Sequence, residues 1–240
     1  MRVLRSLLFA LGMWLALLVI APLGLLTWPL SFTARFHVIS QWARFNVWWL
    51  EKTCAVHYEI SGRENIPSGN GIVMCKHQST WETLILQQIF PAQVWLLKRE
   101  LLRVPLFGWA LALLEPIAID RGAGRRALQQ LIEQGIQKLA AGRWVIIYPE
   151  GTRTAPGTKG RYAPGGAMLA ERSGYPVIPI AHNAGEFWPR RGFIKYPGTI
   201  QLVIGPAIET RGRKAQAINA EVEAWIEGQM ERITGRRPLD

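Results

Sequence analysis

The sequence predicts an α/β fold: a mixed, partly parallel sheet flanked by helices, with an N-terminal helical membrane anchor. Three observations lead there. From about residue 52 onward, short apolar runs alternate with longer amphipathic stretches, and strands alternating with helices of that length need crossover connections and parallel pairing. Residues 7–30 carry no charge. The chain has 240 residues, 49% of them apolar, which suits one domain with a full core and is short for two. The expected division is residues 1–50 as membrane-associated helices and 51–240 as the globular domain.

The uncharged stretch 7–30 would reach about 36 Å as one straight helix, against about 30 Å for a bilayer core. Pro22 and Pro29 are expected to break it, because proline removes an amide donor and kinks a helix. The piece before Pro22 is then only about 22 Å long, too short to cross upright. The next piece is amphipathic. Trp28, Phe32, Phe36, Ile39, Trp42, Phe45 and Trp49 recur every three or four residues, a stripe suited to a helix lying in the membrane interface. A cleaved signal peptide is disfavoured, since the apolar core is long and no small-residue cleavage site follows it. Arg2 and Arg5 on one side and Arg35 and Arg44 on the other leave the orientation balanced.

In the domain, HYEISGREN and GIVMCKH read as strands, and WETLILQQIF as a helix ended by Pro91. VWLLKREL is a strand entering a loop, IAIDR a short strand, and ALQQLIEQGIQKLAAG an amphipathic helix closed by Gly142. WVIIYPEGTR is a buried strand running into a loop. PVIPIAHN and TIQLVIGP are two further strands, and AQAINAEVEAWIEGQMERI is a closing helix.

Composition narrows the partners. Twenty-eight Lys and Arg against 17 Asp and Glu give a net charge of +11, which favours an anionic partner. Five of the 11 Trp fall in the first fifty residues, where amphipathic rings suit a membrane interface. Most basic residues lie elsewhere, so the basic stripe with interleaved aromatics of a nucleic-acid binder is missing. Two Cys, Cys54 and Cys75, build no disulfide framework and fit a reduced compartment.

Three polar clusters could carry chemistry. His77-Gln78-Ser79-Thr80-Trp81-Glu82 follows an apolar strand, and a His beside a carboxylate is a general base with an orienting partner. Residues i and i+5 on one helix stand about 140° apart, so the pair meets only if His77 precedes the helix. The S-x-x-E capping box at Ser79 and Glu82 places the helix start there and supplies the plainer role for Glu82, a cap on backbone amides. In Pro149-Glu150-Gly151-Thr152-Arg153-Thr154, Gly151 permits a tight turn, Arg153 offers a fork suited to phosphate, and Glu150 and Thr152 suit hydroxyls. Lys98-Arg99-Glu100-Leu101-Leu102-Arg103 sets cations beside the apolar VPLFGWALALL, the combination a phosphate headgroup with an acyl tail would match.

Together these clusters resemble the 1-acylglycerol-3-phosphate acyltransferase family, also called lysophosphatidic acid acyltransferases. His77 and Glu82 are similar to its His-x4-Asp block. Lys98, Glu100, Leu101, Pro105 and Gly108 resemble K-x-E-L-x-x-x-P-x-x-G, Tyr148-Pro149-Glu150-Gly151-Thr152-Arg153 resembles F-P-E-G-T-R, and Tyr175-Pro176-Val177-Ile178-Pro179-Ile180 resembles V-P-[IV]-x-P-[IV]. The resemblance implies a lysophosphatidic acid acceptor acylated at its sn-2 hydroxyl, and an acyl-CoA or acyl carrier protein donor. It implies no metal and no cofactor beyond that donor. His77 would be the base and Glu82 its orienting partner. Lys98 and Arg153 would hold the phosphate, with Glu150, Gly151 and Thr152 around the glycerol. It also implies membrane association with the active site on the cytoplasmic side of the cell inner membrane. Glu82 departs from the family's Asp by one methylene, and Tyr148 from its Phe by a hydroxyl. The residues alone leave room for another lyso-lipid acceptor such as lyso-ornithine lipid, for a thioester hydrolase, and for a non-catalytic module that binds anionic membranes.

Overall fold

The structure, a computed structural model, describes residues 1–235, the side chain of Arg121 excepted. Three helices open the chain: α1 (Arg2–Leu26), α2 (Phe32–Ile39) and α3 (Gln41–Cys54). They lead into β1 (Val56–Ser61), β2 (Ile72–Cys75), α4 (Trp81–Ile89), β3 (Gln93–Lys98), α5 (Phe107–Ala112), β4 (Ile117–Ile119), α6 (Arg125–Ala140) and β5 (Trp144–Ile147). Then come α7 (Gly165–Ser173), β6 (Val177–His182), α8 (Ala184–Phe187), β7 (Gly198–Ile204) and α9 (Ala215–Ile233).

The seven strands form one mixed sheet in the order β1-β7-β6-β2-β5-β3-β4. Strands β6, β2, β5, β3 and β4 are mutually parallel, while β7 runs antiparallel to β6 and parallel to β1. Every residue of β2, β5 and β6 is buried, the continuous apolar pattern of strands covered on both faces. The chain leaves β2 through α4 toward β3, and leaves the adjacent β5 through α7 in the other direction, toward β6. Right-handed crossovers running in opposite directions place those helices on opposite faces. The carboxyl ends of β2 and β5 therefore flank a switch point, where open α/β sheets collect ligands.

The N-terminal segment differs from its sequence expectation in two ways. Helix α1 runs through Pro22 without ending. Pro22 sits on the exposed face, while Leu17, Ala21 and Gly24 are buried on the other, so packing supports the turn that lost a hydrogen bond. The stripe from Trp28 to Trp49 does not form one helix: it breaks at Ser40, between α2 and α3. Much of it faces protein rather than lipid. Phe32 and Phe36 are buried, Phe36 stacks on Trp95 at 6.3 Å, and the Trp42 and Trp49 indoles donate to Met13 O and Leu8 O. The outward apolar face belongs to α1, where Leu4, Leu11, Trp14, Leu18, Val19 and Leu23 are exposed.

The expected boundary at residue 50 falls inside α3, and Phe9, Phe36, Val47 and Leu50 share one core with the sheet. A polar clasp adds to this: Glu115 pairs with Arg35 of α2 and with Lys138 and Arg143 around α6. Although burial opposes its charge, Lys138 and Arg143 hold the Glu115 carboxyl down to about 2.

Candidate active site

The turn after β2 carries the first cluster. Helix α4 starts at Trp81, with Ser79 Oγ accepting from the Trp81 amide, so His77 lies outside the helix as the capping box implies. Glu82 reaches back from the first turn. Its Oε1 accepts from His77 Nδ1 at 2.8 Å, from the Gln78 amide at 3.0 Å and from the Ser79 amide at 2.9 Å. The two readings of Glu82, helix cap and partner of His77, are thus the same geometry. Glu82 is 0% exposed and His77 14%. Burial opposes the charge on Glu82, but the neighbouring His182, the His77 ring and the Ser79 amide outweigh it and hold the carboxyl below the usual carboxylate range. Opposite an ionised carboxylate, Nδ1 must carry the proton, which leaves Nε2 as the free acceptor.

Beside this turn lies a cavity of about 560 Å³. His77 lines it and Glu82 does not, so the imidazole, and not its carboxylate partner, borders the cavity. Leu17, Ile20, Trp42, Leu84, Phe107 and Leu114, drawn from α1, α3, α4 and α5 and the end of α5, form part of its apolar wall. Its charged lining is cationic: Lys98 at the end of β3, Arg153, Arg190 and Arg191, with no carboxylate among the described lining residues. Gly151 and Thr152 line it as well, Gly151 at φ 66° in the turn closed by its amide on Tyr148 O, a conformation glycine adopts without a steric cost.

Glu150 lies outside the cavity lining. Expected near the glycerol, its side chain is 0% exposed and absent from the cavity wall. It accepts from the His77 amide at 2.8 Å and from Thr154 Oγ1, and pairs with Lys76 Nζ at 2.8 Å. Lys76, itself buried, also meets Glu227 Oε1 of α9 at 2.8 Å, and Tyr162 donates to the same oxygen. The Thr154 amide donates to His77 O at 2.8 Å. Glu150 is thus a buried strut between the two loops, holding the backbone of His77.

Tyr148 packs its ring on the imidazole at 4.1 Å and 17°, fixing the ring plane. Burial pushes its phenol well above the ordinary range, so it stays neutral. Tyr148→Phe keeps that ring and is expected to keep most of the activity, whereas Tyr148→Ala should lower kcat by about tenfold, the equivalent of one aromatic contact. Steady-state kinetics on the two variants checks this.

Four of these residues carry no functional signal in the sequence. Arg190 and Arg191 belong to none of the motifs, yet they line the cavity, and Arg190 donates to Arg153 O. Lys76 and His182 sit at strand ends where a polar residue looks like the exit to solvent, and both are buried.

Residues 57–183, more than half of the chain, match the family model described as Acyltransferase. The chain is 50% identical over 209 residues to the 1-acyl-sn-glycerol-3-phosphate acyltransferase of Pseudomonas aeruginosa, an alignment covering 85% of this chain and 81% of that relative. A chloroplastic 1-acyl-sn-glycerol-3-phosphate acyltransferase of Brassica napus is 24% identical over 202 residues, 77% of this chain and 57% of that relative. Among solved structures, the lysophosphatidic acid acyltransferase PlsC of Thermotoga maritima superposes with a TM-score of 0.78 at 24% identity, covering 97% of both chains, a likeness of fold.

Proposed function

Because the chain belongs to the 1-acyl-sn-glycerol-3-phosphate acyltransferase family, we propose that it moves a fatty acyl group from acyl-CoA or acyl carrier protein to the free sn-2 hydroxyl of lysophosphatidic acid, giving phosphatidic acid. The observation that carries this reading is the 2.8 Å His77–Glu82 pair, whose imidazole lines a largely apolar cavity with no charged lining residue but cations.

In this scheme His77 Nε2 takes the proton of the sn-2 hydroxyl as its oxygen attacks the thioester carbonyl carbon. Glu82 stabilises the imidazolium that forms and fixes its tautomer. The tetrahedral intermediate collapses, the carbon–sulfur bond breaks, and the imidazolium returns the proton to the leaving thiolate. No free alkoxide or thiolate need appear. Lys98 and Arg153 grip the phosphate, with Thr152 and the Gly151 backbone beside the glycerol, while acyl chain occupies the apolar part of the cavity. The exposed apolar face of α1, the one helix among the described residues long and apolar enough to cross a membrane, supports attachment to a membrane. The enzyme would work at the cytoplasmic side of the cell inner membrane.

A charged hydrogen bond to phosphate is worth roughly 1.5–3 kcal/mol. Arg153→Ala and Lys98→Ala are therefore each expected to raise the KM for lysophosphatidic acid by about 10- to 100-fold. An unchanged KM in both would remove the phosphate from this end of the cavity. The reaction itself is tested by incubating purified protein with an acyl thioester and lysophosphatidic acid or a lyso-ornithine lipid, and identifying the product by mass spectrometry. Phosphatidic acid from the first acceptor supports the proposal; acylation of the second alone would overturn it.

A further inference from the structure

A second imidazole lies behind the first. His182 ends β6, next to β2 in the sheet, and is 0% exposed. Its hydrogen bonds fix its tautomer. Nδ1 accepts from the Ala184 amide at 3.2 Å, so the proton sits on Nε2. That Nε2–H donates to Lys76 O at 2.8 Å and stands 3.8 Å from Glu82 Oε2. Burial holds its pKa below the ordinary imidazole value, in keeping with the neutral tautomer that these two contacts describe.

The Lys76 contact bears on the catalytic turn. The Lys76 carbonyl belongs to the peptide bond whose N–H is that of His77. This one peptide is held at its oxygen by His182 and at its nitrogen by Glu150 Oε2 at 2.8 Å, which sets the direction in which the His77 side chain leaves the backbone. Glu82 Oε1 already takes three donors, whereas Oε2 takes the Ser79 amide at 3.1 Å. The His182 N–H, given to Lys76 O, stands 3.8 Å from Oε2, beyond hydrogen-bond reach, so its direct hold on the turn is through the 76–77 peptide.

We propose that His182 is a positioning residue for acyl transfer, holding the 76–77 peptide so that His77 Nδ1 faces Glu82 Oε1. A displacement of about 1 Å in a reacting group costs on the order of 100-fold in rate. His182→Leu, which keeps the bulk and removes the donor, is therefore expected to lower kcat by about 10- to 100-fold with the KM for lysophosphatidic acid within about twofold. His182→Gln, whose amide N–H can reach Lys76 O, should recover most of that loss and serves as the folded control if the leucine variant is unstable.

A merely structural histidine would not act through the His77–Glu82 pair, so a double-mutant cycle separates the roles. In a Glu82→Gln background, His182→Leu should cost much less than in the wild type. Multiplicative losses, or a His182→Leu enzyme that melts normally with wild-type kcat, would overturn the proposal. The inference rests on the acyl-transfer reading, and the two fail differently. A wild-type protein inactive on lysophosphatidic acid sinks that reading, while an active wild type with indifferent His182 variants sinks only this one.

Discussion

His77→Ala is expected to leave a folded protein whose kcat has fallen by about 10²–10⁴-fold, the usual contribution of a positioned general base. Folding should survive because the ring lies at the cavity wall and its main packing partner is Tyr148. An aromatic contact of that kind is worth about 0.5–1.5 kcal/mol, a small part of the stability of a domain. Glu82→Asp should behave differently. It keeps the charge but draws the carboxylate back by one methylene from a position where Oε1 serves His77 and two backbone amides at once. Partial activity is the expected result. Comparable, near-normal rates in both variants would reject the pair as the reacting couple.

Lys76→Met is expected to have the largest effect on stability. The ammonium is 1% exposed and lies 2.8 Å from both Glu150 and Glu227. Replacing it leaves the fully buried Glu150 facing a second carboxylate with no cation between them. Stranding one member of a buried ion pair costs about 3–5 kcal/mol. In a chain of this size that lowers Tm by about 10 °C. Activity should fall as well, since Glu150 holds the His77 amide. Adding Glu150→Gln to Lys76→Met removes the unpaired charge and should return part of the lost Tm. Thermal unfolding of both variants in the same detergent checks this, and a single variant that melts like the wild type would show that the cluster does not bear on stability.

The sheet and its edge chemistry were legible because they are local. Buried parallel strands such as IVMC and WVII announce themselves as unbroken apolar runs. The capping box at Ser79 and Glu82 located His77 just outside a helix, where the structure has it. Long-range packing was not legible. Pro22 looked like a break because sequence shows the missing donor but not the neighbours of Ala21 and Gly24 that carry α1 past it. The aromatic stripe from Phe32 to Trp49 looked lipid-facing because a helix face packed on protein and one packed on lipid have the same periodicity.

Glu150 is the instructive case within the site. Its place in P-E-G-T-R suggested a substrate contact, yet its partners Lys76 and His77 come from another strand end more than seventy residues earlier. His182, which meets the same turn from β6, was likewise invisible until the strand order placed it beside Lys76.

The measurement that bears most directly on the account is thiol release from an acyl thioester by wild-type and His77→Ala protein, each with and without lysophosphatidic acid. Fast release is expected only for the wild type in the presence of the acceptor. Equal release without acceptor, or undiminished release by His77→Ala, would contradict it.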